Sequence, residues 1–137
     1  MYLRGIDFFN HGYYWEAHEA WENLWHAAGR RGPVAEFLKG LIALAAAGVK
    51  AREGRAAGVK QHARRAGSIF DAIKVQTLAD EKTDFMGMNL SALIDAAIKL
   101  AAAPEKALNM ADRAVVIVFE FQLSLWVGPP GVHQASE

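Results

Sequence analysis

Tyr13-Tyr14-Trp15-Glu16-Ala17-His18-Glu19-Ala20-Trp21-Glu22-Asn23-Leu24-Trp25-His26-Ala27-Ala28 is the stretch on which the reading of this chain turns. Tyr14, His18, Trp21 and Trp25 recur at spacings of three, four and seven, the period of a helix rather than of a strand. On such a helix Trp15, His18, Glu22 and Trp25 fall within one third of the circumference. Glu19 and His26 lie on the adjoining edge, and Ala17, Ala20 and Leu24 take the opposite side. His18 and Glu22, four residues apart, can touch. A face this rich in indole is expected to turn inward, carrying the histidine and the acid with it.

Working outward, Gly29-Arg30-Arg31-Gly32 breaks the helix, and Pro33 sits where proline is tolerated, in the first turn of the next one. That helix is expected to run to about Glu53 on a stripe including Phe37, Leu38, Leu41, Ile42 and Val49, with Gly54 closing it. Gly40 and Gly48 each cost about 1 kcal/mol of helix propensity against alanine, and the expected return is close approach of a neighbouring backbone. Residues 56–75 form another apolar stripe through Val59, Ala63, Ala66, Phe70 and Ile73. Upstream, residues 5–10 read as a short helix or turn leading to Gly12. Residues 79–88 are polar and irregular and read as a loop, after which Asn89 or Ser91 can cap a helix that ends before Pro104. Phe119-Glu120-Phe121-Gln122-Leu123-Ser124-Leu125 alternates apolar and polar, a strand period without a second strand to pair with. It is expected to be extended, lying in a groove or against another chain.

The fold class is therefore all-α: an antiparallel helical bundle with an extended or β C-terminal segment. Residues 1–127 are expected to form a single domain and residues 128–137 a loose tail. Gly12 and Gly54 each precede a helix, with a small residue five positions later, a faint internal repeat that makes the bundle look tetratricopeptide-like.

Composition narrows the function classes. A chain of 137 residues, 53% hydrophobic, can bury a core and is not a disordered chain. The absence of cysteine excludes disulfides, thiolate metal sites and a cysteine nucleophile. The richest apolar run, residues 37–49, carries Lys39 and is too short to span a bilayer, so no membrane is expected. The amino terminus has no basic stretch followed by an apolar run and a cleavage site, so a cytoplasmic location is expected. Fifteen basic and fifteen acidic residues balance, which argues against a nucleic-acid partner. The signs are nonetheless segregated: Glu16, Glu19 and Glu22 on the first long helix, and six basic residues against Glu53 between positions 50 and 65. Two such segments can face each other inside one fold.

The chemistry-bearing residues are Tyr14, Trp15, His18, Glu22 and Trp25, read as lining a polar-aromatic pocket for a small molecule. A purely structural reading stays open beside this one, with His18 and Glu22 satisfied by Arg64, Arg65 or His62 on neighbouring helices. So does a metal-dependent hydrolase, in which His18, Glu22 and His62 hold a divalent metal ion and Glu19 or Glu22 serves as general base. The metal reading lacks a third local ligand: His18-Glu19-Ala20-Trp21-Glu22 has glutamate where the zinc-protease pattern has its second histidine. A protein–protein interaction module is the remaining alternative, and a homodimer is expected. His11 reads as a surface or capping group, and His133 as an uninvolved tail residue.

The run Phe9-Asn10-His11-Gly12-Tyr13-Tyr14-Trp15-Glu16-Ala17-His18-Glu19-Ala20-Trp21-Glu22-Asn23-Leu24-Trp25 resembles the signature of the domain-of-unknown-function family 309. Phe37-Leu38-Lys39-Gly40-Leu41-Ile42 resembles its second block and residues 54–59 its third, so the resemblance spans roughly residues 5–75. It implies a small all-helical bacterial or archaeal protein, and a group sometimes labelled metal-dependent hydrolases. It singles out Glu16, His18, Glu19, Trp21, Glu22 and Trp25. The chain departs from the family at Lys39 and Ala43, where glutamine is common, and at Lys50, where histidine is common. If that histidine is a metal ligand elsewhere, Lys50 removes it here.

Overall fold

The first helix, α1, spans Tyr2–Asn10, starting three residues before the expected Gly5 because Ile6 and Phe9 already define its buried side. The computed structural model describes residues 1–78 and 84–125. Gly12 then turns the chain at φ 87°, where an added Cβ would lie 2.9 Å from the backbone of Val116, so both conformation and space require glycine. α2 follows at Tyr14–Ala27, α3 at Pro33–Arg52 with Pro33 in its first turn, and α4 at Ala56–Gln76. Gly54, at φ 74°, turns the chain into α4 as Gly12 turns it into α2. The faint repeat thus marks two equivalent helix entries. Each helix packs chiefly on the one before and the one after it, with α5, Leu90–Ala102, against α4. The short connections among α1, α2, α3 and α4 make those neighbours antiparallel, the stacking order of a tetratricopeptide-like bundle.

α3 is the centre of the core. Phe37, Leu38, Leu41 and Leu44 are fully buried, and Ala43, Ala45, Ala47 and Ala51 let α2 and α4 come close on either side. The two costly glycines of α3 receive rings, not the neighbouring backbone expected from sequence. A Cβ on Gly40 would lie 2.4 Å from the Phe70 ring of α4, and one on Gly48 would lie 2.4 Å from the Tyr14 ring of α2.

The expected loop at 79–88 needs correction over its described half. Asp84–Phe85 (β1) and Met88–Asn89 (β2) pair antiparallel, with Phe85 opposite Met88. The two-residue turn has positive φ at both Met86 (52°) and Gly87 (83°), as a tight hairpin turn requires. Methionine is a poor residue for that conformation, so sequence gives no turn signal. The Tyr2 hydroxyl holds the turn by donating to the Met86 carbonyl at 2.7 Å. Asn89 then caps α5 as expected, its side chain accepting from the Ala92 amide at 2.9 Å.

Among the described residues the C-terminal segment has no strand partner, and it lies in a groove, one of the arrangements expected from its alternation. Phe119 and Leu123 are buried and Phe121 half-buried, while Glu120, Gln122 and Ser124 face solvent. The side-chain amide of Asn10 pairs with the Leu123 peptide in both directions, donating to its carbonyl at 2.8 Å and accepting from its amide at 2.7 Å. The Val118 amide donates to the Tyr14 hydroxyl at 2.9 Å. Phe9 stacks on Phe119 at 5.5 Å and meets Tyr14 edge-on at 5.3 Å. The Arg52 guanidinium donates to the carbonyls of Asn109, Ala111 (3.1 Å) and Arg113 (2.5 Å), fixing the approach to this segment. Residues 79–83 of the expected loop, the expected domain limit at 127, the tail at 128–137 and His133 all lie outside the described residues. Among the described residues, no helix is long and apolar enough to cross a membrane.

Candidate functional site

Which side of α2 is buried decides where its polar residues go. Tyr14, Ala17, Ala20 and Trp21 face the core, so the buried side is rotated from the Trp15-His18-Glu22-Trp25 face expected to be inward. The cause is complementary space. Trp21 is 0% exposed because Gly5 of α1 leaves room for its indole, whose N–H donates to the Tyr2 carbonyl at 3.3 Å. Tyr14 is 3% exposed because Gly48 of α3 accepts its ring. Trp15 has no such partner and stays 58% exposed, its ring stacked parallel to that of His18 at 5.7 Å.

His18, Glu22 and Trp25 consequently stand at the rim of the core, where α2 meets α3 and α4. His18 and Trp25 are half-buried and Glu22 is exposed. Together they form one wall of a groove of about 280 Å³. The floor comes from α3 through Ile42, Ala43 and Ala46, with Lys39 at its edge. The third wall is His62 and Arg65 of α4, one turn apart. The groove therefore brings His18, Glu22 and Trp25 together with His62. Lys39, the alanine floor and Arg65 depend on how the helices register, and the sequence singled out only Lys39 and Ala43 (as departures) and Arg65 (as a partner for His18 or Glu22).

Other expected site residues fall elsewhere. Tyr14 lies in the core and holds the C-terminal segment, and burial pushes its hydroxyl pKa up, against the backbone amides of Val118 and Phe119. Glu16 and Glu19 face a separate surface beside Arg4 and Phe8 of α1, so Glu19 does not share the groove. His26 accepts from the Arg30 guanidinium at 2.9 Å. The exposed ring of His11 lies 2.8 Å from the Asp7 carbonyl.

The groove is electrostatically uneven. Lys39 pairs with Glu36 at 3.4 Å, and Lys50 with Glu53 at 3.2 Å. Among the described residues, His18, Glu22, His62 and Arg65 make no hydrogen bond or ion pair. The acidic and basic segments thus share a groove without being cross-linked. Burial holds the His62 pKa below its ordinary value, and the charges of Lys50, Arg65 and His18 push it the same way. The Trp25 indole N–H is buried without a hydrogen-bond partner among the described residues, although Arg30 lies over the ring at 5.8 Å. Among the described residues, no three histidine, aspartate or glutamate side chains converge to hold a metal ion. What the groove can do is hold a molecule against an indole and an alanine floor while presenting imidazoles and a guanidinium to its polar part.

The architecture and this groove define a small all-helical domain built on successive antiparallel helix pairs. Residues 2–61 match the family model DUF309, a domain of unknown function. The family found is the one the amino-terminal motif resembles. The match takes in α1 to α3 and the start of α4, and stops one residue before His62. No curated protein matches the chain.

Proposed function

We propose that this protein is a small-molecule-binding domain whose ligand lies in the groove between α2, α3 and α4. One observation carries the reading: three helices bring His18, Glu22, His62 and Arg65 around one groove, and none of these side chains makes a hydrogen bond or ion pair with another described residue. Trp25 and the floor of Ile42, Ala43 and Ala46 supply the apolar surface that small-molecule sites use for affinity, with a few polar groups for orientation. The unpartnered indole N–H of Trp25 adds a local cost of the kind that persists near functional sites.

The test is amide chemical-shift mapping with three probes that share a phenyl ring: benzoate, benzyl alcohol and benzylamine. At least one is expected to shift the amides around His18, Ala43 and His62. Ala46→Trp, which fills the floor, should abolish those shifts, with Ala46→Leu as a milder variant if the tryptophan unfolds the protein. If no probe shifts these amides, or if the shifts persist in a folded, filled variant, the proposal is wrong.

A further inference from the structure

Resting on the ligand-binding reading above, we infer that the ligand is a small organic oxyanion, with an apolar or aromatic body over Trp25 and Ile42 and its negative group received by His62 and Arg65. The argument is a charge inventory of the groove. His18 and Glu22 stand on the α2 wall, Lys39 at the α3 edge, and His62 and Arg65 on the α4 wall, with Lys50 of α3 near enough to act on His62. Among the described residues Glu22 is the single carboxylate lining the groove, and it is exposed, as is Arg65. Glu36 and Glu53 are already taken up by Lys39 and Lys50. Arg65 therefore has no counter-ion among the described residues, and His62 sits in a positive field.

Each ligand class meets this surface differently. A cation would face Arg65, Lys39 and Lys50 with only an exposed carboxylate in compensation. A neutral molecule would leave the guanidinium donors no better paired than before. An oxyanion accepts two parallel N–H bonds from Arg65 and a charge-assisted bond from His62, one helical turn away. The size fits a compact molecule, since the groove is about 280 Å³ and its floor at Ala43 and Ala46 is shallow. Proton linkage follows. Burial and positive neighbours disfavour the protonated form of His62, and a bound anion reverses that bias, so binding takes up a proton. The other titratable or charged groups facing His62 are His18 and Glu22 of α2, Lys39 and Lys50 of α3, and Arg65 of α4.

The three probes separate the classes, because they differ only in the charge of the head group. Benzoate is expected to bind at least about tenfold tighter than benzyl alcohol or benzylamine, and Arg65→Gln should erase that preference. Benzoate affinity should rise as pH falls from about 7.5 to about 5.5, and His62→Gln should reduce this rise. If benzyl alcohol or benzylamine binds in the groove as tightly as benzoate, the anion inference fails and the binding site stands. If Arg65→Gln, still folded, binds benzoate as the unaltered chain does, Arg65 is not the receiver. If none of the three binds, both readings fall.

Discussion

Asn10→Ala removes the one side chain that pairs with a backbone peptide of the C-terminal segment in both directions, and its effect can be worked out from the contacts it makes. The amide donates to the Leu123 carbonyl at 2.8 Å and accepts from the Leu123 amide at 2.7 Å, both partly buried. Each such bond contributes about 1 kcal/mol net, and a peptide group left unpaired away from water adds to the loss. Leu123 itself is buried, so its peptide cannot simply turn to solvent without withdrawing the side chain from the core. The expected loss is about 2–3 kcal/mol, read as a lower urea midpoint in equilibrium unfolding followed by tryptophan fluorescence and circular dichroism. Gln122→Ala, on the exposed side of the same segment, is the control and should stay within about 0.5 kcal/mol. Amide exchange should show where the loss falls, with the Leu123 amide losing protection before the helices do. If Asn10→Ala changes stability by less than about 0.5 kcal/mol and leaves Leu123 exchange unaltered, the clamp does not hold the segment.

The two tryptophans six residues apart on α2 should behave oppositely. Trp21→Ala vacates a fully buried site and should cost about 3–5 kcal/mol, whereas Trp15→Ala, at an exposed ring, should fall within about 0.5 kcal/mol; similar losses by urea titration would contradict the orientation of α2. His62 should make folding pH-dependent. Its folded pKa lies below the ordinary 6.5, so the unfolded chain binds the proton first, and the stability His62 contributes is present above about pH 6.5 and lost as pH falls towards the folded value. Chemical denaturation of the unaltered chain and of His62→Gln should therefore show the difference between them shrinking or reversing in acid, and a constant difference would refute the assignment.

Helix ends were readable because their signals are local. Pro33, Gly54 and Asn89 each act within a few residues of their own position, through a fixed φ, a left-handed turn and a side-chain cap. The alternation from Phe119 to Leu125 is local too, and it gave the right inward residues without saying what they pack on. Misreadings came from information held elsewhere in the chain. Periodicity put Trp15 and Trp25 on the inward face, yet it is Trp21 that has a glycine to lie on, and Gly5 belongs to another helix. The hairpin escaped notice because Met86 adopts its positive φ with a hydroxyl from Tyr2 holding its carbonyl, a contact across 84 positions. Of the expected pocket residues, His18, Glu22 and Trp25 line the groove while Tyr14 and Trp15 do not; of the expected metal and catalytic candidates, His62 lines it and Glu19 does not. Residues four apart stay on one flank whatever the packing, but a nearest neighbour such as Glu19 is carried to another flank by the 100° step.

The amino-terminal motif serves two structural ends at once, and this bears on what the family match can transmit. Phe9, Asn10 and Tyr14 hold the C-terminal segment, and Ala17 and Trp21 set the helix against α1 and α3. These are demands of the scaffold, and they account for much of the signature without reference to a ligand. His18, Glu22 and Trp25 are left as the motif's share of the groove, and the matched span includes them along with Lys39 and the alanine floor. His62 and Arg65 lie beyond it. On the oxyanion reading these two side chains receive the charged group, so a chain sharing residues 2–61 but carrying other residues on that face of α4 would keep the fold and the groove and lose the preference for an anion. On that reading the matched span supplies most of the cavity, and His62 and Arg65, beyond it on α4, select what enters.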